Sequence, residues 1–290
     1  MEKRNKTTHA YLIIAHNQPR LLQLLIELID DKRNDIFILL DGKCRDERLC
    51  QMKARWSRVV YTPRVDVWWG ESSQIEAEMI LFETAYNCGP YAYYHLLSGQ
   101  DLPLKSQDEI HRFFDSHQGK QFMMIGENTE IIGKRLRRHF FHNYKHGGVY
   151  TLKQNVVRFI QRMLLSIQKH FLPVPTIDWL PELRMGWNWV SITHDAVAYL
   201  VERHPQITLS FEHTFCCDEV FLQSVLWNSP LRDTIVNDSL RLIDWERGKP
   251  YTFTYADLSQ LQRTDKLFAR KFSETDEQLL SCFEQREFFS

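Results

Sequence analysis

Short apolar segments alternate with longer segments of helical period over the first half of the chain. Residues 10–15 form a continuous apolar run, which is typical of a buried strand. Pro19 then opens a segment whose leucines and isoleucines repeat at helical spacing, and Pro is favoured in the first turn of a helix. Further strands are predicted at 36–40, 59–61 and 91–97, and helices at 73–86 and 108–114. This alternation predicts an α/β fold in which helices flank a mostly parallel central sheet.

The second half of the chain has a less regular pattern, above all over 126–182. A short amphipathic helix is predicted at 220–227, with Asp218 and Glu219 in its first turn, where the helix dipole favours carboxylates. Asn228-Ser229-Pro230 should end it. We also expect a helix at 195–202, a short strand at 207–211 and a surface helix after residue 275. No repeat or linker divides the chain, which predicts a single domain over 1–290.

Composition excludes several classes of protein. With 43% hydrophobic and 13% aromatic residues in 290, the chain can bury a large core. A formal net charge of −1 gives no overall electrostatic footprint for nucleic acid. No apolar run reaches the roughly 18 residues that a transmembrane helix needs. The six cysteines form no CxxC pair, which favours a reduced protein without a zinc site.

Two groups of charged residues suggest chemistry. Asp218 and Glu219 are either capping carboxylates or include a general base at the rim of a pocket. Arg247 and Lys249, and later Arg270 with Lys271, are cations among aromatic residues and glycine. Clustered cations bind a diphosphate without a metal, although solvated basic faces look the same in sequence.

A third group combines basic and aromatic residues between 135 and 144. It is either a loop at an acceptor site or a plain surface helix, and the neutral chain argues against nucleic acid. Its basic members are Arg135, Arg137, Arg138 and His139.

A series of short motifs follows these features along almost the whole chain. In order they are Ala10-Tyr11-Leu12-Ile13-Ile14-Ala15-His16, Ile38-Leu39-Leu40-Asp41, Val67-Trp68-Trp69-Gly70-Glu71-Ser72, Leu96-Leu97-Ser98-Gly99-Gln100-Asp101-Leu102-Pro103-Leu104, Gly186-Trp187-Asn188-Trp189, Cys217-Asp218-Glu219-Val220-Phe221, Ile243-Asp244-Trp245 and Leu267-Phe268-Ala269-Arg270-Lys271-Phe272. In this order they resemble the core-2/I-branching β-1,6-N-acetylglucosaminyltransferases and the related peptide O-xylosyltransferases.

The resemblance implies a GT-A-like glycosyltransferase fold and an inverting, metal-independent reaction. A sugar, with N-acetylglucosamine favoured and xylose as the alternative, would move from a UDP-sugar to a glycan hydroxyl. Glu219 matches the family's catalytic base, and Lys271 matches its diphosphate-binding lysine. The family's second cation should fall near Arg247 or Lys249. The absence of any Asp-x-Asp pair agrees with a reaction that needs no metal or other cofactor.

Position along the chain suggests further contacts. The half to about residue 125 should hold the nucleotide-sugar, and the half from about 126 the acceptor and the catalytic groups. Asp101 is equally well explained as a turn cap, and the two tryptophans as core residues of a strand. The nucleotide- or sugar-binding candidates are His16, Asp41, Ser98 and Asp101, and the acceptor-binding candidates are Trp187, Trp189 and Arg138.

Two other classes compete with a transferase. A glycoside hydrolase would pair Glu219 with another carboxylate, but the cations around Lys271 argue against it. A non-catalytic carbohydrate-binding protein on the same fold has no need of both Glu219 and Lys271. Animal members of the family carry a membrane anchor that this chain does not show. We therefore expect a cytoplasmic protein of bacterial origin, either free or peripheral at a membrane.

Overall fold

A mixed sheet forms the centre of the computed structural model, which describes residues 8–141, 151–248 and 250–289. The strands are β1 (His9–Ala15), β2 (Asn34–Leu40), β3 (Arg58–Tyr61), β4 (Tyr93–Ser98), β5 (Asp101–Pro103), β6 (Gln121–Met123), β7 (Ser191–Thr193), β8 (Ile235–Asn237), β9 (Arg241–Ile243) and β10 (Phe268–Arg270). The seven-stranded sheet has the order β3-β2-β1-β4-β7-β6-β8, with only β7 antiparallel to its neighbours. The predicted α/β fold with a mostly parallel sheet is confirmed.

Helices cover both faces of this sheet. They are α1 (Pro19–Ile29), α2 (Ser72–Cys88), α3 (Gln107–Ser116), α4 (Thr129–Leu136), α5 (Leu152–Phe171), α6 (His194–Glu202), α7 (His204–Phe211), α8 (Phe221–Trp227), α9 (Leu258–Arg263) and α10 (Glu277–Glu284). Successive residues of β1 point to opposite faces of the sheet and so enter two different hydrophobic cores. Tyr11 packs in the core that contains α1, α3, α9 and α10. Leu12 packs in the core that contains α2, α6, α7 and α8. Each core draws on both halves of the chain, in agreement with a single domain, whereas the functional division near residue 125 stays a prediction.

A second, three-stranded sheet in the order β5-β10-β9 lies beside the first. The guanidinium of Arg241 joins the two sheets: it is buried and donates to the carbonyl oxygens of Leu96 at 3.2 Å and Val190 at 2.7 Å. In this small sheet Arg270 pairs with Asp101 across β10 and β5. Because β5 follows β4 directly, this pairing places the end of the Leu267–Phe272 motif next to the end of β4, although the two are far apart in sequence.

Most predicted elements of the first half are confirmed. Pro19 occupies the first turn of α1, and Leu21, Leu22 and Leu25 of that helix are fully buried. The predicted helix at 73–86 corresponds to α2, with Ile75, Met79, Phe82 and Ala85 in the core. Both helices were predictable because each has an apolar stripe that matches the helical period.

One prediction for the second half is wrong, and one segment with a less regular sequence pattern contains helices. The segment 207–211 belongs to helix α7, because Pro205 starts a helix there and Ile207 and Phe211, four residues apart, share its buried face. The segment 126–182 contains two helices, α4 and the 20-residue α5, which Thr151 opens with a capping box. Within the described residues no helix is long and apolar enough to cross a membrane. The cytoplasmic location and the bacterial origin stay predictions.

The placement of the acidic pair also needs a correction. Asp218 and Glu219 lie in a separate 3₁₀ turn, Cys217–Glu219, rather than in the first turn of α8. Val220 separates the two, since its φ of −127° departs from helical geometry. The end of α8 at Asn228 is as predicted. The carboxylates are therefore held by a turn that enters the core at Cys217, and not by a helix dipole.

Candidate active site

The carboxyl ends of the parallel strands β1, β2 and β4 bring three predicted residues to one edge of the sheet. His16 follows β1, Asp41 follows β2, and Ser98 ends β4. Asp41 accepts from the ammonium of Lys43 at 2.8 Å. Partial burial lowers the pKa of His16, and the charges of Lys43 and Lys271 lower it further, against the opposing effect of Asp41. This edge is where open α/β sheets bind their ligands.

A cavity of about 230 Å³, here called the strand-end cavity, opens at this edge. Its walls come from five separate stretches of chain, so only the fold assembles it. Polar and aromatic side chains that line it include His16, Glu78, Ser98, Gln100, Trp189 and Arg270.

Arg270 is the principal cation of the strand-end cavity. Its side chain is only 13% exposed, and its guanidinium lies 4.0 Å from the centre of the Trp189 ring. Nε is 3.7 Å from Asp101 Oδ1, too far for a hydrogen bond. Neither Nε nor Nη1 has a hydrogen-bond partner within the described residues. Burial lowers the pKa of Arg270, and the charge of Asp101 opposes that effect. Such an arginine is ready to donate to an anionic ligand.

Asp101 and Ser98 hold each other at the end of β4. Asp101 is fully buried and accepts from the Ser98 amide at 2.9 Å and the Ser98 hydroxyl at 2.7 Å. Burial raises the pKa of Asp101. These contacts explain the residue as a turn cap that also supports Arg270, while its predicted contact with the sugar stays a prediction.

Lys271 follows Arg270 and is partly buried, close enough to His16 to influence its pKa. Its backbone is fixed by Tyr251, whose carbonyl accepts from the Lys271 amide at 3.3 Å, and by Phe253, whose amide donates to the Lys271 carbonyl at 2.9 Å. In the described part of the chain its ammonium forms no hydrogen bond and no ion pair. The backbone of Lys271 is thus fixed, and its charge is not neutralised by a described residue.

Arg247 has a different environment. Its guanidinium pairs with Asp244 at 2.5 Å and Asp257 at 2.6 Å, and donates to Gln260 at 3.2 Å. These contacts stabilise the loop that leads away from β9, so a diphosphate would have to compete with two carboxylates. Lys249, the other predicted cation, lies outside the described residues.

A second cavity, of about 360 Å³ and here called the Glu219 pocket, adjoins the first. Trp69 and Gln74 line both. The carboxylate of Glu219 is 33% exposed and accepts from Arg135 Nη2 at 2.6 Å. Arg135 also donates to the carbonyl of Cys216 at 2.9 Å, which fixes its position. The ion pair orients Glu219 through Oε2, and the residue lines the pocket.

Two buried carboxyl groups lie behind Glu219. Burial, and then the charge of Glu219, raise the pKa of Asp218 to about 7. Burial and the charge of Asp218 raise the pKa of Glu78 well above its usual range. Gln74 donates to Asp218 at 3.1 Å, and Asn188 donates to Glu78 at 3.0 Å. Glu219 is the most exposed of the three, and is therefore the carboxylate that an incoming hydroxyl would meet.

The strand-end cavity and the Glu219 pocket together are here called the cleft. Trp69 lines both parts and is 79% exposed. It also lines a third cavity of about 400 Å³, and its ring lies 5.7 Å from that of Phe215. Gly70 permits this arrangement, because its φ is +78° and a Cβ there would come within 2.6 Å of the Phe215 ring. An exposed aromatic ring beside a carboxylate can pack against the apolar face of a ligand.

The predicted acceptor residues are placed less uniformly. Trp189 lies under Arg270 in the strand-end cavity, whereas Trp187 lies 6.3 Å from Trp245. Both are half-buried in the loop before β7, so neither is a core residue of a strand. Arg138 is exposed beside Phe140, while Arg135 of the same basic group enters the Glu219 pocket.

Four residues that the structure brings into the cleft were not among the predicted site residues, although Arg270 and Arg135 belong to basic groups noted in the sequence. Trp69 and Arg270 belong to the motifs already quoted, so a signal for them existed. Arg135 and Glu78 are 84 and 141 residues from Glu219 in sequence, and no local pattern connects them with it. Over the described residues, no group of three or more His, Cys, Asp or Glu side chains is arranged to hold a metal ion.

Comparison with known proteins finds relatives whose similarity extends over nearly the whole chain, as the quoted motifs do. Dog xylosyltransferase 2 is 21% identical over 92% of this chain and 32% of its own length. Human xylosyltransferase 1 is 22% identical over 92% of this chain and 29% of its own length. The β-glucuronosyltransferase GlcAT14A of Arabidopsis thaliana is 26% identical over 62% of this chain and 39% of its own length. The chain thus spans about a third of the length of these relatives.

A solved structure, the apo form of mouse xyloside xylosyltransferase 1, aligns with 90% of this chain and 96% of its own. The TM-score is 0.39 at 11% identity, a likeness too weak to support an argument. The sequence model of the Core-2/I-branching enzyme family, in contrast, matches residues 9–266. The predicted resemblance to this family is thereby confirmed. The protein belongs to the Core-2/I-branching enzyme family.

Proposed function

We propose that the protein is an inverting glycosyltransferase that moves a sugar from a UDP-sugar to a hydroxyl of a glycan, without a metal ion. The observation that carries the proposal is the division of charge in one cleft. Glu219 lies in one cavity and Arg270 in the next, and Trp69 and Gln74 line both. A transferase of this kind needs a base for the acceptor and positive charge for the leaving diphosphate, side by side.

Glu219 is the proposed general base. The acceptor hydroxyl gives its proton to the Glu219 carboxylate while its oxygen forms a bond to the anomeric carbon. The bond from that carbon to the diphosphate breaks, and its electron pair leaves with UDP. Arg135 keeps the carboxylate oriented at 2.6 Å. Such a base contributes roughly 10²–10⁴-fold to the rate.

Arg270 and Lys271 are the proposed cations for the leaving diphosphate. Arg270 has unpartnered N–H groups in the strand-end cavity, and the Lys271 ammonium is unpaired within the described residues. The fixed positive charge is expected to act more strongly as negative charge grows on the departing phosphate. Arg247 and Lys249 remain proposed partners, and Arg247 would first have to give up its contact with Asp244 or Asp257.

Two donor sugars compete. The N-acetylglucosamine donor follows from the motif resemblance, whereas xylose is favoured by the names of the relatives that match over 92% of the chain. Groups next to the strand-end cavity decide between them, because the donors differ at C2 and C6. Glu78 is a candidate for this contact, since its Oε2 has no hydrogen-bond partner within the described residues.

A UDP-release assay tests the proposal directly. The protein would be incubated with UDP-N-acetylglucosamine, UDP-xylose and UDP-glucuronic acid, each with and without EDTA. Release of UDP from one donor, retained in EDTA and lost in Glu219→Gln, is the expected result. A protein that binds a glycan but neither binds UDP nor releases it from any donor would be a carbohydrate-binding protein, contrary to the proposal.

A further inference from the structure

Helix α5 differs from the other long helices in the residues that it buries. Its two buried residues, Gln161 and Gln168, are both polar. Gln161 accepts from the amides of Phe140 and Phe141 at 2.9 and 3.1 Å, and Gln168 accepts from the Arg138 amide at 2.9 Å. Polar contacts therefore attach the helix to the domain, where an ordinary surface helix would turn its apolar face inward.

Most apolar side chains of α5 face outward instead, while Val157, Leu164 and Leu165 are half-buried. They recur at the spacing of one helical face, and Leu152 is 83% exposed, Phe159 64% and Met163 50%. The exposed surface continues past the end of the helix into the following loop. Its members are Leu152, Val156, Phe159, Ile160, Met163, Ile167, Phe171, Leu172 and Val174. Contiguous exposed apolar surface of this kind marks an interaction site.

Charge is separated along the sequence around this helix. Between residues 131 and 177 the chain has nine of its 36 Lys and Arg residues and none of its 37 Asp and Glu residues. The remainder of the chain is acidic as a result, although the protein as a whole is close to neutral. Within α5 the cations Lys153, Arg162 and Lys169 are exposed together with the apolar face. The combination is the one that favours the surface of a membrane with anionic lipids.

We propose that α5 docks the protein on an anionic lipid bilayer, with its apolar face among the acyl chains at the interface. A second copy of the chain fits the surface less well, because two such helices face to face would bring only like charges together. Gln161 and Leu165 of the same helix line the third cavity, which Trp69 also lines. Docking through α5 would thus hold the mouth of the cleft near the lipid surface. The docking itself does not depend on the proposed glycosyl transfer.

Vesicle sedimentation tests the proposal with the chain as it stands. The probes are vesicles of pure phosphatidylcholine and vesicles with about one-third phosphatidylglycerol. The apolar variant is Phe159→Ser with Ile167→Ser, and its matched control is Leu209→Ser, a leucine 79% exposed on α7. Removal of two interfacial side chains should weaken partitioning at least about tenfold, whereas the control should bind as the wild type does.

A charge variant, Lys153→Gln with Lys169→Gln, sharpens the test. Loss of two cations should weaken binding to the anionic vesicles several-fold and reduce its dependence on salt. All variants should keep the melting temperature of the wild type, because every substituted side chain is exposed.

Three results would overturn docking on lipid. Absence of the wild type from the pellet with anionic vesicles would reject the proposal outright. Equal partitioning of the wild type and the Phe159→Ser, Ile167→Ser variant would assign binding to another surface. A wild-type dimer that this variant converts to a monomer in analytical ultracentrifugation, with no binding to vesicles, would make a second copy the occupant.

Discussion

The two walls of the cleft treat their charges differently. On the wall of the Glu219 pocket, both carboxyl groups have a donor, Arg135 for Glu219 and Gln74 for Asp218. On the wall of the strand-end cavity, the cations Arg270 and Lys271 keep N–H groups without partners among the described residues. The carboxyl groups of the first wall are therefore paired, whereas the cations of the second have unused donors.

This difference indicates which ligand each wall meets. A base must be oriented before its substrate arrives, and the Arg135 ion pair at 2.6 Å provides that orientation. Cations that neutralise a diphosphate need free N–H groups, which a bound substrate would satisfy. We therefore expect changes on the first wall to act on turnover alone, and changes on the second to act on both binding and turnover.

The largest expected effect is that of Glu219→Gln. The amide keeps the shape of the side chain but accepts no proton, so turnover should fall roughly 10²–10⁴-fold with UDP affinity little changed. Rates of UDP release with a saturating acceptor provide the measurement. Glu76→Gln, an exposed change on α2, serves as the control. Wild-type turnover in a folded Glu219→Gln protein would exclude this residue as the base.

A second prediction concerns the buried acid Asp218. Its pKa is raised from 3.8 to about 7, so its contribution to stability is complete below about pH 4 and is lost as the pH rises to about 7. At 1.36 kcal/mol for each pKa unit, the change in the free energy of unfolding is on the order of 4 kcal/mol. Asp218→Asn should remove this dependence.

Denaturant unfolding of wild type and Asp218→Asn between pH 4 and pH 8 provides the test. The difference between the two proteins isolates Asp218 from the buried histidines His9, His95 and His111, whose pKa values burial lowers. A constant difference across that range would show that Asp218 is ionised in the folded protein near neutral pH.

The third prediction concerns the cationic wall. Lys271→Ala removes one charge-assisted contact worth on the order of 1.5–3 kcal/mol, or roughly 10–150-fold in kcat/KM. Both UDP affinity and kcat should fall, because charge on the leaving phosphate grows in the transition state. Lys271→Arg should recover only a part, since a planar guanidinium does not replace a compact ammonium. Lys120→Ala, an exposed lysine after α3, is the control, and activity equal to it would make Lys271 a surface residue.

The smallest expected effect is that of a chelator. If fixed cations stabilise the diphosphate, excess EDTA should leave the rate of UDP release unchanged within error. Activity that disappears in EDTA and returns with manganese would assign the role of the cationic wall to a metal ion.

The fold was predictable where the apolar pattern faces the core. Helix α1 and strand β2 have buried faces that match their periods, and both were found. The short run Ile207–Phe211 fits either a strand or a helix, and Pro205 decides for the helix. Helix α5 was missed although its apolar residues have helical spacing. Its outward face has no core to pack against, and its two buried positions are glutamines.

The site was predictable only where motifs carried it. Glu219, Lys271, His16 and Ser98 were selected from motifs or strand ends, and all lie in or beside the cleft. Long-range packing supplies the rest: Arg135 comes from α4, and the β5–β10 pairing brings Arg270 to Asp101. Sequence alone also does not show that Arg247 forms ion pairs with Asp244 and Asp257, since these contacts form only in the folded loop.

Calorimetric titration of UDP into three proteins is the best test of whether the diphosphate contacts the cationic wall and not Glu219. The account predicts that wild type and Glu219→Gln bind UDP with the same Kd, while Lys271→Ala binds at least about tenfold more weakly. Equal affinity in all three would contradict it, because the cationic wall would then not contact the diphosphate. Weaker binding in Glu219→Gln alone would place UDP on the acidic wall and reverse the two assignments.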